Sequence, residues 1–377
     1  MTSRERLLKV LRGEIPDCVP VAPDFSNMIP AKLTGKPFWD LYLYNDPPIW
    51  EAYIDCAKYF NIDSLMDGYF PLKFPEETRN EPPWEKAIIS ETEDAIITQD
   101  YYSESGKIYW KNTVEVYYRF NPPSRGIAPE KLSLPAIPDK WRPVENIKPV
   151  DYSPEGLQRV KRMMGDQGLV GVFVASTCAL ANEKDILNYY DNPGNAAKEA
   201  EKRTERAVAR FERIMAMPEK PDFLCVGGSG TLVFQSPDIF RELAFPAVKK
   251  IIEMATSAGM FTHVHSCGPE KELVKIMAEE TTLTVIDPLE IPPMGDCDLT
   301  ELKKQYGDRI VLKGNLHTTN VMLQGSVDDV IRESKAAIDA AATGGRFILS
   351  TGDQCGRDTP FENLHAMIET ARSYGKY

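Results

Sequence analysis

Two of the chain's four histidines fall in one short run, Thr262-His-Val-His-Ser-Cys-Gly-Pro269. Side chains along a strand alternate between faces, so His263, His265 and Cys267 share one side. Gly268-Pro269 ends the strand and opens a helix, which sets Cys267 at the strand's C-terminal end. An imidazole nitrogen and a thiolate sulfur at this spacing suit zinc, which takes about four nitrogen, sulfur or oxygen donors. The other donors must come from distant segments. Cys355, in Ser350-Thr-Gly-Asp-Gln-Cys-Gly-Arg357, is the expected third ligand, because it too follows a strand-like run. A fourth position falls to Glu290 at the end of its strand, to Asp353, or to water and substrate, with Cys297 a weaker candidate. His265, Cys267, Cys355 and Glu290 are therefore the expected metal-binding and catalytic set, and His263 is read first as a packing residue. Cys18, Cys56, Cys178 and Cys225 read as small core residues, His317 as part of a strand-end turn, and His365 as a surface position on the last helix.

A rim that collects such residues requires many strands ending at one place. Short apolar or β-branched runs recur at Gly168–Ser176, Phe223–Gly227, Phe261–Cys267, Leu283–Ile286, Arg309–Lys313 and Phe347–Ser350. Helical patterns separate them, opened by Asn192-Pro193, Ser236-Pro237, Gly268-Pro269, Asp298, Ser326 and Thr359-Pro360. Two earlier runs, Val19–Ala22 and Ser64–Met66, bracket a helix expected from Ile49 to Phe60. Eight alternating units predict a (β/α)8 TIM barrel, with active-site groups at the C-terminal ends of its strands. No G-x-G-x-x-G follows a strand, so a dinucleotide fold is not indicated. One stretch departs from the alternation. Asp94–Tyr102, Ser103-Glu-Ser-Gly106 and Lys107–Phe120 predict a β-hairpin or meander, and Asn121–Pro149 reads as a proline-rich connection. Residues 1–377 are thus expected to form a single barrel domain with an insertion at about 90–150.

Composition narrows the function. Forty-four Lys and Arg stand against 56 Asp and Glu, a net charge of −12, with no basic cluster to hold nucleic acid or an anionic membrane. Seven dispersed cysteines do not resemble a disulfide framework. No apolar run is long enough for a membrane span, and the polar opening Met1–Leu8 lacks a signal-peptide core, so a cytoplasmic protein is expected.

These residues resemble the uroporphyrinogen decarboxylase superfamily, a (β/α)8 fold. The resemblance is carried by Arg4–Asp17, by Gly307–Asn315 and by Thr359–Glu369. True decarboxylases carry an arginine-rich segment after the first strand, whereas here Ala22-Pro-Asp-Phe-Ser-Asn-Met-Ile-Pro30 has no arginine. A decarboxylase for a many-carboxylate porphyrinogen is therefore the less favoured reading. H-x-C with a distant cysteine instead resembles the zinc motif of the methyltransferase branch. That resemblance implies zinc at His265, Cys267 and Cys355, and cobalamin supplied on a separate corrinoid protein. None of the four histidines has the D-x-H-x-x-G context of a corrinoid carrier. Two activities compete. In the O-demethylase type, a methyl group passes from a methylated, for example methoxyaromatic, donor to Co(I). In the methylcobalamin:coenzyme M type, it passes from cobalt to a small thiol. The chain's length and its aromatic hairpin, Tyr101 to Tyr118, favour the donor type at this stage. Phe25, Met28, Phe70, Phe234, His263 and Asn315 are the pocket residues expected from strand-end positions. A non-catalytic barrel would leave the two cysteines without metal.

Overall fold

The structure is a computed structural model that describes residues 1–78, 82–180 and 182–377. Its strands, in chain order, are β1 Ser64–Met66, β2 Glu85–Glu91, β3 Ala95–Glu104, β4 Lys107–Tyr118, β5 Ser124–Ile127 and β6 Arg142–Pro143. They continue with β7 Gly168–Phe173, β8 Phe223–Cys225, β9 Phe261–His265, β10 Val285–Asp287, β11 Val311–Leu316 and β12 Phe347–Thr351. Two compact units result, one of residues 1–24, 57–72 and 157–377, the other of 25–56 and 73–156.

The first unit holds a seven-stranded parallel sheet in the order β1-β7-β8-β9-β10-β11-β12, curled and covered by helices as a TIM-barrel-like α/β fold. The eighth expected strand, Val19–Ala22, is shorter than its neighbours. It makes one parallel bridge, Val21 to Leu349. Ala22 N donates to Leu349 O at 2.9 Å, and Asp63 N donates to Val21 O at 2.9 Å, so this segment joins the last strand to the approach of the first. Pro20 explains the brevity, since a proline has no N–H to extend a ladder.

An N-terminal helix, Ser3–Leu11, starts with a capping box between Thr2 and Glu5. Its apolar face, Leu7, Val10 and Leu11, packs with Leu65, Leu169, Phe223, Val285, Val311 and Ile348 in one buried cluster. Two residues further along the same faces come Asp67, Cys225, Asp287, Lys313 and Ser350, with His263 beyond Phe261. The strand interiors therefore change from apolar to charged toward their C-terminal ends. Val264, on the opposite face of β9, is fully buried.

The helix expected from Ile49 to Phe60 is present with those bounds. The helix opened by Asn192-Pro193 runs from Ala196 to Ala216, and a further helix, Glu183–Asp191, precedes it. The one opened by Ser236-Pro237 is divided into Pro237–Leu243 and Phe245–Ser257, where Pro246 begins a new first turn.

The second unit carries a five-stranded antiparallel sheet, β5-β4-β3-β2-β6. The hairpin expected around Ser103–Gly106 is its centre, joining β3 to β4 with Glu104 paired to Lys107. The sheet is larger than the sequence suggested, because β5 and β6 lie within the proline-rich stretch. Its aromatic residues pack on one another. Tyr101 lies 5.4 Å from Trp110 and 4.8 Å from Trp141, and Tyr102 stacks on Tyr109 at 4.8 Å, all between ring centroids.

Candidate metal centre

The site lies where β9, β10 and β12 end. His265 closes β9, and Cys267 follows it in an extended segment stopped by Gly268, whose φ is +91°. His265 and Cys267 are both partly exposed, as a rim position requires, whereas His263 is buried. Glu290 follows β10 by three residues and is itself buried. The peptide N–H of Gly268 donates to Glu290 Oε2, which ties the two strand-end loops together. The loop after β12 brings in Asp353, at a φ of +98° that L-residues rarely adopt.

These elements gather two overlapping donor groups. Cys267, Glu290 and Asp353 offer one atom each, all within 4.8 Å of one another, and so do Asp24, His265 and Asp353. His265 Nε2 lies 3.7 Å from Asp353 Oδ1. Cys267 Sγ also pairs with Ser229 Oγ at 2.8 Å. Cys355 stands two residues beyond Asp353, fully buried and outside both groups. Its peptide N–H donates to Asp24 O at 2.8 Å, and Asp24 N donates to Thr351 Oγ1 at 3.0 Å, so the loop is laced to the segment after Ala22. Burial pushes the Cys355 thiol up to about 12, with Asp24 adding to the shift. Burial likewise raises Glu290, although the Gly268 N–H opposes it, and raises Asp353, opposed by His265.

Below the rim lies a charged layer that the sequence reading missed. Asp287 is 1% exposed. Its Oδ1 is 2.9 Å from His263 Nε2 and 3.2 Å from His265 Nδ1, while its Oδ2 accepts from Lys313 Nζ. Burial alone would protonate Asp287, but Lys313 and the two imidazoles hold it well below the usual carboxylate range. Burial also lowers His265, and Asp287 more than reverses this, leaving the imidazole above its ordinary value. His263 thus sits in this layer, with Phe223 edge-on to its ring at 5.8 Å. The available signal was Lys313, a lysine inside an apolar strand run.

The expected pocket residues scatter. Phe25 and Met28 belong to the second unit, where Met28 packs against a cluster of Ala31, Phe38, Leu41 and Ala52. Phe70 is buried in the first unit, and Asn315 donates from Nδ2 to Leu289 O at 2.9 Å. Phe234 is 62% exposed at the end of the short helix Thr231–Phe234. Cys297 is buried, and that burial raises its thiol well above the usual range. His317 accepts the N–H groups of Thr319 and Asn320 as a helix cap, and His365 packs 5.0 Å from the Phe60 ring.

A nitrogen, a sulfur and several carboxylate oxygens converging at one rim fit a borderline divalent ion such as zinc. The abundance of acidic groups adds an attractive potential for any cation. Among the described residues, no helix is long and apolar enough to cross a membrane.

This chain is similar to several known proteins. Residues 221–374 match the family described as Uroporphyrinogen decarboxylase (URO-D). The methylcobamide:CoM methyltransferase MtaA of Methanosarcina barkeri is 29% identical over 141 residues, covering 37% of this chain and 38% of that protein. The methylcobamide:CoM methyltransferase MtbA of Methanosarcina mazei is 27% identical over 141 residues, covering 36% and 37%. Each match thus spans less than two-fifths of the relative's own length. A solved structure, a methyltransferase from Methanosarcina mazei, superposes with a TM-score of 0.60 at 18% identity, covering 99% of both chains. That likeness shows the shared fold.

Proposed function

We propose that this chain, similar in part to the family described as Uroporphyrinogen decarboxylase (URO-D) and to methylcobamide:CoM methyltransferases, is a zinc-dependent methyltransferase that passes a methyl group between a corrinoid carried on a separate protein and a small thiol. The observation that carries this reading is the pair of strand-end donor groups that share Asp353, one with Asp24 and His265 and the other with Cys267 and Glu290. The thiol direction replaces the donor type favoured by the sequence. The named relatives are methylcobamide:CoM enzymes, and the aromatic rings of the second unit are engaged with each other.

Each residue has a defined task under this reading. His265, Cys267 and Cys355 hold zinc, and Glu290 or Asp353 completes the set. Bound zinc would lower the pKa of a coordinated thiol so that it is presented as a thiolate near neutral pH. For Cys355 to bind, its thiol must give up a proton that burial otherwise retains, so metal uptake and proton release are linked. Gly268 N–H fixes the direction of Glu290. Val233 and Phe234, 53% and 62% exposed beside the Cys267-Gly268 turn, offer an apolar surface for the corrinoid protein. The test is metal content. Protein purified without added zinc should hold one equivalent, and Cys355→Ala should lose it while keeping the fold; full zinc occupancy in that variant would remove Cys355 from the ligand set.

A further inference from the structure

The charged layer beneath the rim supplies no donor to the metal cluster, yet it touches one. Asp287 ends β10 directly beside His265, the two residues being register partners across the strands. Its backbone carbonyl accepts from Ser266 N at 2.9 Å, which fixes the segment between His265 and Cys267. Its side chain is engaged on both oxygens. Oδ2 takes the buried Lys313 ammonium, and Oδ1 is shared between His263 Nε2 at 2.9 Å and His265 Nδ1 at 3.2 Å. A buried carboxylate beside a buried ammonium stays charged, because losing either charge would leave the other unpaired. A charged carboxylate only accepts hydrogen bonds, so both ring nitrogens facing it must carry hydrogens.

That requirement decides the geometry of the ligand. With its hydrogen on Nδ1, His265 keeps its lone pair on Nε2, the nitrogen that faces Asp353 and the donor cluster. The other tautomer would turn a lone pair toward Asp287 and an N–H toward the metal position. We propose that Asp287 is the positioning residue for His265, setting its tautomer and ring orientation, with Lys313 anchoring the carboxylate from the side away from the imidazoles. This assignment rests on the metal-binding reading above.

Zinc affinity of the full-length protein, measured by competition with a chromophoric chelator, tests the assignment. Asp287→Asn should weaken zinc by about 10- to 100-fold, the usual effect of removing a carboxylate behind a metal-bound histidine. Lys313→Met removes the charge opposite Asp287 but leaves the carboxylate and both imidazole contacts, so it should lower the urea midpoint and weaken zinc less than Asp287→Asn does. Equal weakening in both variants, or unchanged affinity in Asp287→Asn, would make Asp287 merely structural. Failure of the wild-type protein to take up zinc would instead bring down the metal reading itself. Nitrogen-15 NMR of histidine-labelled wild-type protein needs no variant: His265 should show the Nδ1-protonated tautomer when zinc is bound, and the Nε2-protonated form would overturn the assignment.

Discussion

Asp63 sits where the barrel closes, and replacing it with asparagine should loosen that seam. The carboxylate is fully buried. Oδ1 accepts from Arg6 Nη1 at 2.7 Å, and Oδ2 accepts from Arg372 Nη1 at 2.7 Å and from Val21 N at 2.8 Å. One side chain thus joins the first helix, the short Val19–Ala22 segment and the last helix, Phe361–Ser373. An amide of the same shape removes the charge and turns a donor toward one guanidinium. Breaking a buried ion pair from one side costs about 3–5 kcal/mol. Here the cost is smaller, because Arg6 keeps two bonds to Asp17, at 2.7 and 2.9 Å, and Arg372 is 26% exposed to water. About 2–3 kcal/mol is therefore expected, which at a urea m-value of about 3 kcal/mol/M moves the midpoint down by roughly 0.7–1 M. Combining Asp63→Asn with Arg6→Met should be markedly less than additive, since the partners share one interaction. A midpoint shift below about 0.2 M, or full additivity of the pair, would show that the seam is held by other contacts.

Two further outcomes follow from particular contacts. A methyl group at Gly227 would lie 2.4 Å from His265 N and 2.7 Å from His265 O, backbone atoms that cannot turn aside, so Gly227→Ala should shift β9 and weaken zinc binding in a chelator competition, whereas unchanged affinity would mean that the strand end tolerates displacement. Lys303, whose ammonium donates to Gly345 O, is pushed down by burial and by Arg346 to about 8 from an ordinary 10.5. The unfolded chain therefore binds more protons between these values, and this group's contribution to stability rises with pH across that window and is constant below it. Urea midpoints of the wild type relative to Lys303→Met should increase from pH 8 to 10.5, and a flat or falling difference would contradict this.

Much of this architecture was legible from local pattern. The period-two run around His265 and the cap residues Ser326 and Asp298 locate elements that form as read, because each signal is local: an alternation, or a side chain accepting from a peptide N–H three residues on. Closure was less legible. Val19–Ala22 carries the apolar content of a strand, but Pro20 limits it to a single bridge. In the second unit, Ser124–Ile127 turns back onto β4 despite its proline-rich context, and Arg142–Pro143 pairs only because distant β2 presents a free edge. At the site, the cysteine and histidine spacing marked the rim and Asp353 stood among the candidates for the fourth position, while Asp287 was harder to find. An aspartate ending a strand looks like a turn residue until the opposing strand's histidines are known. Asp353 reaches the cluster through a backbone conformation that composition does not announce.

The central claim is methyl transfer to a thiol at a zinc site, and one spectrophotometric measurement addresses it most directly. Zinc-loaded and metal-stripped protein are each mixed with methylcobalamin and 2-mercaptoethanesulfonate, and the loss of the methyl-Co(III) spectrum is followed with the thioether product. The zinc-loaded protein should convert methyl-Co(III) to Co(I) with one thioether per cobalt, and the stripped protein should not until zinc is restored. Equal rates with and without zinc, or no thioether alongside methylation of Co(I) by a methoxyaromatic donor, would contradict it.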